Sequence, residues 1–159
     1  MKVREFITQN PIGITSETLV AEIARILIEH HVNGVPVIDP EKRLLALVTE
    51  GDLVHRATDE HLEPRESAWK ENFFRSVIHR NAPGTDKAEG RTADQVMTCR
   101  VLTVAPEDHV VVAARLLADH NIKSPPVIKH ERLVGMTSRF DLVKHMADDR
   151  EIFNPMRKD

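Results

Sequence analysis

The sequence predicts an α+β protein with α/β-like layers: two pseudo-symmetric β-α-β-β-α repeats packed sheet to sheet, with a helix inserted between them. The first observation behind this is internal repetition, since the pattern of residues 4–57 returns at 94–146. Thr8, Glu17, Val20, Ala24, Arg25, Leu27, His30, Pro36, Val37 and Ile38 recur as Thr98, Glu107, Val110, Ala114, Arg115, Leu117, His120, Pro126, Val127 and Ile128. After a one-residue deletion, Arg43, Leu44, Asp52, Leu53 and Val54 recur as Arg132, Leu133, Asp141, Leu142 and Val143. The second observation is a helical apolar period framed in each copy by short apolar runs. The third is size. A repeat of roughly 50 residues buries too little core to stand alone, so the two copies must pack together, and clefts are expected at their shared interface.

In the first repeat, a short turn spans residues 4–8 and Pro11 follows. Residues 12–14 form a short apolar strand. Thr18 is placed to cap a helix whose buried face runs through Leu19, Ile23, Ile26, Leu27 and His30. Asn33 and Gly34 tolerate positive φ and suit the end of that helix. Residues 35–38 predict a buried strand, 39–42 a tight turn, 44–49 a second strand and 50–57 a short helix. The second repeat runs in parallel. A strand covers 102–104, Asp108 caps, and Val112, Ala113, Leu116 and Leu117 form the buried helix face. Strands follow at 126–128 and 133–138, then a closing helix at 139–146. The expected organisation is therefore repeat 1 over 1–57, an insert over 58–93, repeat 2 over 94–147 and a charged tail over 148–159.

The insert is too long for an ordinary connection. It holds Trp69, Phe73 and Phe74, three of the six aromatic residues in the chain. With Val77 and Ile78 they form an apolar stripe, which predicts an amphipathic helix over about 64–80 and then a loop over 81–90. Such a stripe covers either the protein's own surface or a second subunit, and the intersubunit choice is preferred because the repeats already bury their helix faces.

Composition is that of a soluble globular domain: 159 residues, 41% hydrophobic and 30% charged, with a net charge of −3. No basic field invites nucleic acid or an anionic membrane. The opening MKVREF lacks the apolar core of a signal peptide, and no apolar run approaches a membrane span, so a cytoplasmic protein with no membrane partner is expected. Cys99, the only cysteine, reads as a small, partly buried residue. Nine histidines raise the question of a metal, but no set has a metal-site spacing. His30, His31 and His120 are explained as helix-terminal residues favoured by the dipole. No nucleophile–base pair with a third member stands out, so neither a catalytic residue nor a catalytic cofactor is expected.

The β-α-β-β-α order, the Val35-Pro36-Val37-Ile38 strand and a second strand ending in Thr-x-x-Asp resemble the cystathionine β-synthase (CBS) domain, and two in tandem resemble a Bateman module. The family's closing pattern, Gly-hydrophobic-hydrophobic-Ser/Thr-x-x-Asp, stands as Gly135–Asp141 in the second copy. In the first it stands as Ala46–Asp52, with alanine in place of glycine. The openings, residues 3–8 and 93–98, also fit.

That resemblance implies a stand-alone regulatory module that binds an adenine nucleotide (AMP, ADP or ATP, in some members S-adenosylmethionine or NAD), pairs into a homodimer and controls an unidentified partner protein. It implies nucleotide-lining roles for Ile14, Val35, Pro36, Thr49 and Asp52 in the first cleft. In the second it implies Val104, Lys123, Pro125, Pro126, Ser138, Arg139 and Asp141. The chemistry is apt. Thr49 and Ser138 begin helices, whose unpaired first-turn N–H groups favour phosphate. Asp52 and Asp141 are acceptors suited to a ribose diol, the apolar residues to an adenine, and backbone groups near Pro36 and Pro126 to its edge. The same Ser/Thr-x-x-Asp spacing is close to a capping box, and the two roles are compatible. Arg139 and Lys123 favour phosphate in the second cleft, whereas Glu50 opposes it in the first. Two other readings stand beside this one: a dimerisation or partner-binding protein with degenerate, empty clefts, and a nucleic-acid binder, which the acidic charge disfavours.

Overall fold

The structure, a computed structural model, describes residues 1–59 and 91–148. The helix expected over 64–80, the loop over 81–90 and the tail from 149 lie outside the described residues. In chain order the elements are a 3₁₀ turn Val3–Glu5, β1 Thr8–Gln9, α1 Val20–Glu29, β2 Gly34–Ile38, β3 Leu44–Thr49 and α2 Glu50–Asp59. A second 3₁₀ turn Ala93–Gln95 follows, then α3 Val110–Asp119, β4 Pro126–Lys129, β5 Arg132–Met136 and α4 Arg139–Asp148.

The chain forms two compact units, and they are not the two repeats. One comprises Met1–Ile12, Pro40–Leu44 and the part from Arg100 onward; the other comprises Gly13–Asp39 and Leu45–Cys99. Each repeat thus gives its opening segment to the unit built on the other repeat's body.

In the first unit, β1 and β4 flank β5 in a three-stranded sheet. Thr8 pairs with Met136 and Gln9 with Gly135, antiparallel. The opening turn is tied by its backbone, Val3 N donating to Asp108 O at 2.9 Å and Arg4 N to Pro106 O at 3.0 Å. Val3, Phe6, Val104, Ala113 and Val127 make the core. In the second unit the same bonds recur: Ala93 N donates to Thr18 O at 2.9 Å and Asp94 N to Ser16 O at 3.0 Å. Here β2 pairs with β3, and Thr98 continues that sheet through an antiparallel bridge to Leu47. Ile14, Ile23, Leu27, Val35, Val37, Ala46 and Val48 pack with Ala93 and Val96 from the opening segment. A fully buried side chain such as Ile23 contributes about 2 kcal/mol.

Several local expectations differ. Thr18 does not cap α1; its hydroxyl accepts from Thr15 N at 3.1 Å, and Leu19 is the N-cap without a side-chain bond. Asp108 likewise turns back to Ala105 N at 2.7 Å, so His109 caps α3. Short polar side chains satisfy their own turn first, which removes them as caps. Positive φ falls at His31 (51°) and Asn121 (52°), just after each helix, rather than at Asn33 or Gly34. His30 and His120 are C-caps, and both are exposed. The expected strands at 12–14 and 102–104 shrink to single parallel bridges, Ile14 to Val37 and Val104 to Val127. Val112 is exposed and the buried stripe of α3 rests on Ala113 and Leu117. Cys99 is exposed rather than partly buried. Thr137 occupies the position of Val48, and its buried hydroxyl has no hydrogen-bond partner among the described residues.

Two predictions concern the exchanged opening segment. A Cβ on Gly135 would lie 2.9 Å from Thr8 O and 2.9 Å from Ile7 Cδ1. The carbonyl is backbone and cannot swing aside, so Gly135→Ala should cost about 1–3 kcal/mol in urea unfolding; no loss would show that β1 does not run so close. The second prediction is a pH dependence. Glu107 binds Lys2 Nζ at 2.7 Å and Arg4 Nη1 at 2.9 Å. The Lys2 hydrogen bond, helped by the charge of Arg4, holds its carboxyl below the ordinary carboxylate value. A depressed pKa gives stability that is complete above the unfolded value and lost as pH falls through the folded one. Wild type should therefore exceed Glu107→Gln at neutral pH, the gap should close in acid, and salt should narrow it because the pair is exposed. A gap constant with pH would refute the pairing.

Candidate functional site: two strand-to-helix carboxylates

Each unit has one junction at which a strand ends and a helix begins, carrying Thr49 and Asp52 between β3 and α2, and Ser138 and Asp141 between β5 and α4. The local geometry is a reciprocal cap. Asp52 Oδ2 accepts from Thr49 N at 2.8 Å and from Thr49 Oγ1 at 3.0 Å, while Asp52 N donates back to Thr49 Oγ1 at 3.3 Å. Ser138 Oγ donates to Asp141 Oδ2 at 2.6 Å and accepts from Asp141 N at 3.1 Å. The cap consumes one oxygen of each carboxylate and leaves the other to the surroundings.

There the junctions part. Asp52 Oδ1 accepts from Thr98 Oγ1 at 3.0 Å. The equivalent oxygen, Asp141 Oδ1, makes no hydrogen bond among the described residues. Instead Asp141 opens onto a cleft of about 260 Å³, lined by Glu5, Phe6, Ile7 and Thr8 of the opening segment and by Lys144 and His145 of α4. His145 stacks on Phe6 with ring centroids 6.0 Å apart. The volume falls just below the range for small-molecule sites, about 300–1,000 Å³.

The other residues expected at the clefts are distributed differently. Ile14, Val35, Pro36, Val104, Pro125 and Pro126 are buried; Ile14 and Val35 belong to one core and Val104 to the other. The carbonyls of Pro36 and Pro126 accept from Ile14 N at 2.9 Å and Val104 N at 3.1 Å. Lys123 is exposed, and its carbonyl accepts from Arg139 N at 3.1 Å. The Arg139 guanidinium turns to the end of α3: Nη2 donates to Leu117 O at 2.9 Å and Asn121 Oδ1 at 3.0 Å, and Nε to Ile122 O at 3.1 Å. It thus satisfies a C-terminal carbonyl that the helix leaves open, and phosphate would have to compete for it. Phe6, Thr8, Lys144 and His145 were not among the expected site residues. Lys144 and His145 stand three and four positions after Asp141, hence on the same helix face. Thr8 is the repeat partner of Thr98, a signal already visible in the sequence.

Among the described residues no group of three or more His, Cys, Asp or Glu is arranged to hold a metal, and no helix is long and apolar enough to cross a membrane.

Two units, each closed by a strand–Ser/Thr-x-x-Asp–helix junction, define a paired-repeat module. Residues 3–59 and 93–148 match the CBS domain, and the chain belongs to that family. It is 23% identical over 147 residues to the uncharacterized protein MJ1404 of Methanocaldococcus jannaschii, a match covering 92% of this chain but 32% of that one. The chain thus spans about a third of that relative. The crystal structure of the CBS-pair protein CBSX2 from Arabidopsis thaliana superposes with a TM-score of 0.72 at 23% identity, over 94% of this chain and 96% of that one. A structure of CBSX2 in complex with AMP gives 0.68 at 25% identity, over 92% and 96%.

The clamp made by Arg139 yields a prediction. Arg139→Gln should lower the stability of the unliganded protein by about 1 kcal/mol, because the carbonyls at the end of α3 lose a charged donor. Urea unfolding without nucleotide measures it. Unaltered stability, with nucleotide affinity lost, would reassign the guanidinium to ligand.

Proposed function

We propose that the chain is a regulatory, non-catalytic CBS-domain pair that binds an adenine nucleotide at the Asp141 cleft. The observation that carries this reading is Asp141, which lines a cleft with Oδ2 anchored by Ser138 and Oδ1 free of hydrogen bonds among the described residues. A ribose hydroxyl is a donor that such a fixed carboxylate accepts well, and the first-turn N–H groups of α4, with Lys123, supply positive potential for phosphate. The AMP complex of CBSX2 supports the ligand class. A nucleotide that prefers one arrangement of the module shifts the population toward it, which is how the signal would reach a regulated partner protein.

A homodimer belongs to the same reading. Phe140 and Val143 on α4 are 73% and 59% exposed, one turn apart on one helix face, and apolar groups so placed suit a second subunit. A single exposed thiol and an acidic surface suit the reducing cytoplasm.

Calorimetry with AMP tests the site. Asp141→Ala should weaken binding by about 1.5–3 kcal/mol, the worth of a hydrogen bond to a charged group, or roughly tenfold to 150-fold. Unchanged affinity in that variant, with Asp52→Ala abolishing binding, would move the site to the other junction.

A further inference from the structure

We propose that Thr98 occludes the Asp52 junction, so that the chain takes one adenine nucleotide rather than two and Thr98 is the residue that sets this number. The inference rests on the nucleotide reading of the Asp141 cleft.

Thr8 and Thr98 are equivalent residues of the two opening segments, as Asp141 and Asp52 are of the two helices. In one unit Thr8 and Asp141 line an open cleft, with no hydrogen bond between them. In the other the Thr98 hydroxyl lies 3.0 Å from Asp52 Oδ1, where a ligand hydroxyl would have to donate. Thr49 already takes Oδ2 through both its N–H and its hydroxyl. Both oxygens of Asp52 are therefore engaged by protein groups, three donors in all, and an entering diol must first break a charge-assisted bond.

Thr98 is held there by its backbone. Leu47 N donates to Thr98 O at 3.0 Å and Thr98 N to Leu47 O at 2.9 Å, so withdrawing the residue means opening a sheet edge. Charge acts in the same direction. The first turn of α2 carries Glu50 and Asp52, both acidic, and these carboxylates use up the helix-terminal potential that phosphate would need. The first turn of α4 carries only Asp141.

The test is calorimetric titration of the full chain with AMP. Wild type should bind one equivalent. Thr98→Val keeps the β-branched shape and both backbone bonds to Leu47 and removes only the donor; it should bind two. Thr98→Ser keeps the donor and should bind one. The double variant Thr98→Val, Asp141→Ala should keep one strong site, now at Asp52. Two equivalents in wild type, or one equivalent of wild-type affinity in Thr98→Val, would overturn the proposal while leaving the Asp141 reading in place. A wild type that binds none, with Thr98→Val binding one, would uphold the occlusion and sink the Asp141 reading. Binding by neither would overturn both.

Discussion

A half-sized repeat leaves a sheet edge and a helix start with unpaired backbone groups, and burying such groups unpaired is costly. In this protein the missing partners come from the opening segment of the other repeat. At the helix starts Val110 N donates to Met1 O and Val20 N to Arg91 O, and at the sheet edges Thr8 pairs with Met136 and Thr98 with Leu47. The same segments contribute Val3 and Phe6 to one core and Ala93 and Val96 to the other. Neither body is complete without a stretch of chain some 90 residues away in sequence. This exchange explains Gly135, where β1 leaves no room for a side chain; the equivalent Ala46 is fully buried in the other core.

The exchange also decides the chemistry of the two junctions. Each capping carboxylate spends one oxygen on its own helix and presents the other to whatever the exchanged segment brings. One segment brings a hydroxyl within bonding distance of Asp52. The other pairs with β5 in the same register but makes no such bond, and Phe6, Thr8 and His145 line a cleft beside Asp141. The cap thus orients each carboxylate and leaves one of its oxygens for a second partner. Arg139 shows the same economy in reverse. It stands two residues before Asp141, yet its guanidinium is directed to the end of α3, so the start of α4 and the end of α3 are tied together.

Much of this was legible in the sequence because it depends on near neighbours. Identity between the copies predicts two equivalent bodies. Apolar residues three and four apart place Ile23 and Leu27 inside, and Ser/Thr-x-x-Asp produces the cap at both junctions through a bond three residues long. Failures at this level have a local cause as well. Thr18 and Asp108 had the right type and place for a cap, but each found a closer turn to close. The six apolar residues expected to wall the adenine are buried, and periodicity identifies the buried side of a strand but not whether protein or ligand covers it.

The sequence by itself determined the repeats, the helix faces and the paired capping carboxylates, all consequences of spacing within a few residues. Only the tertiary structure decided which opening segment joins which body. The repeat symmetry makes Thr8 and Thr98 equally suited to either Asp52 or Asp141, and a pattern that is the same in both copies carries no information about the choice. The chain's path resolves it, setting Thr98 against Asp52 and Thr8 beside the open Asp141 cleft. A hydrogen bond across 46 residues depends on how the backbone is brought round, and side-chain type alone does not specify that.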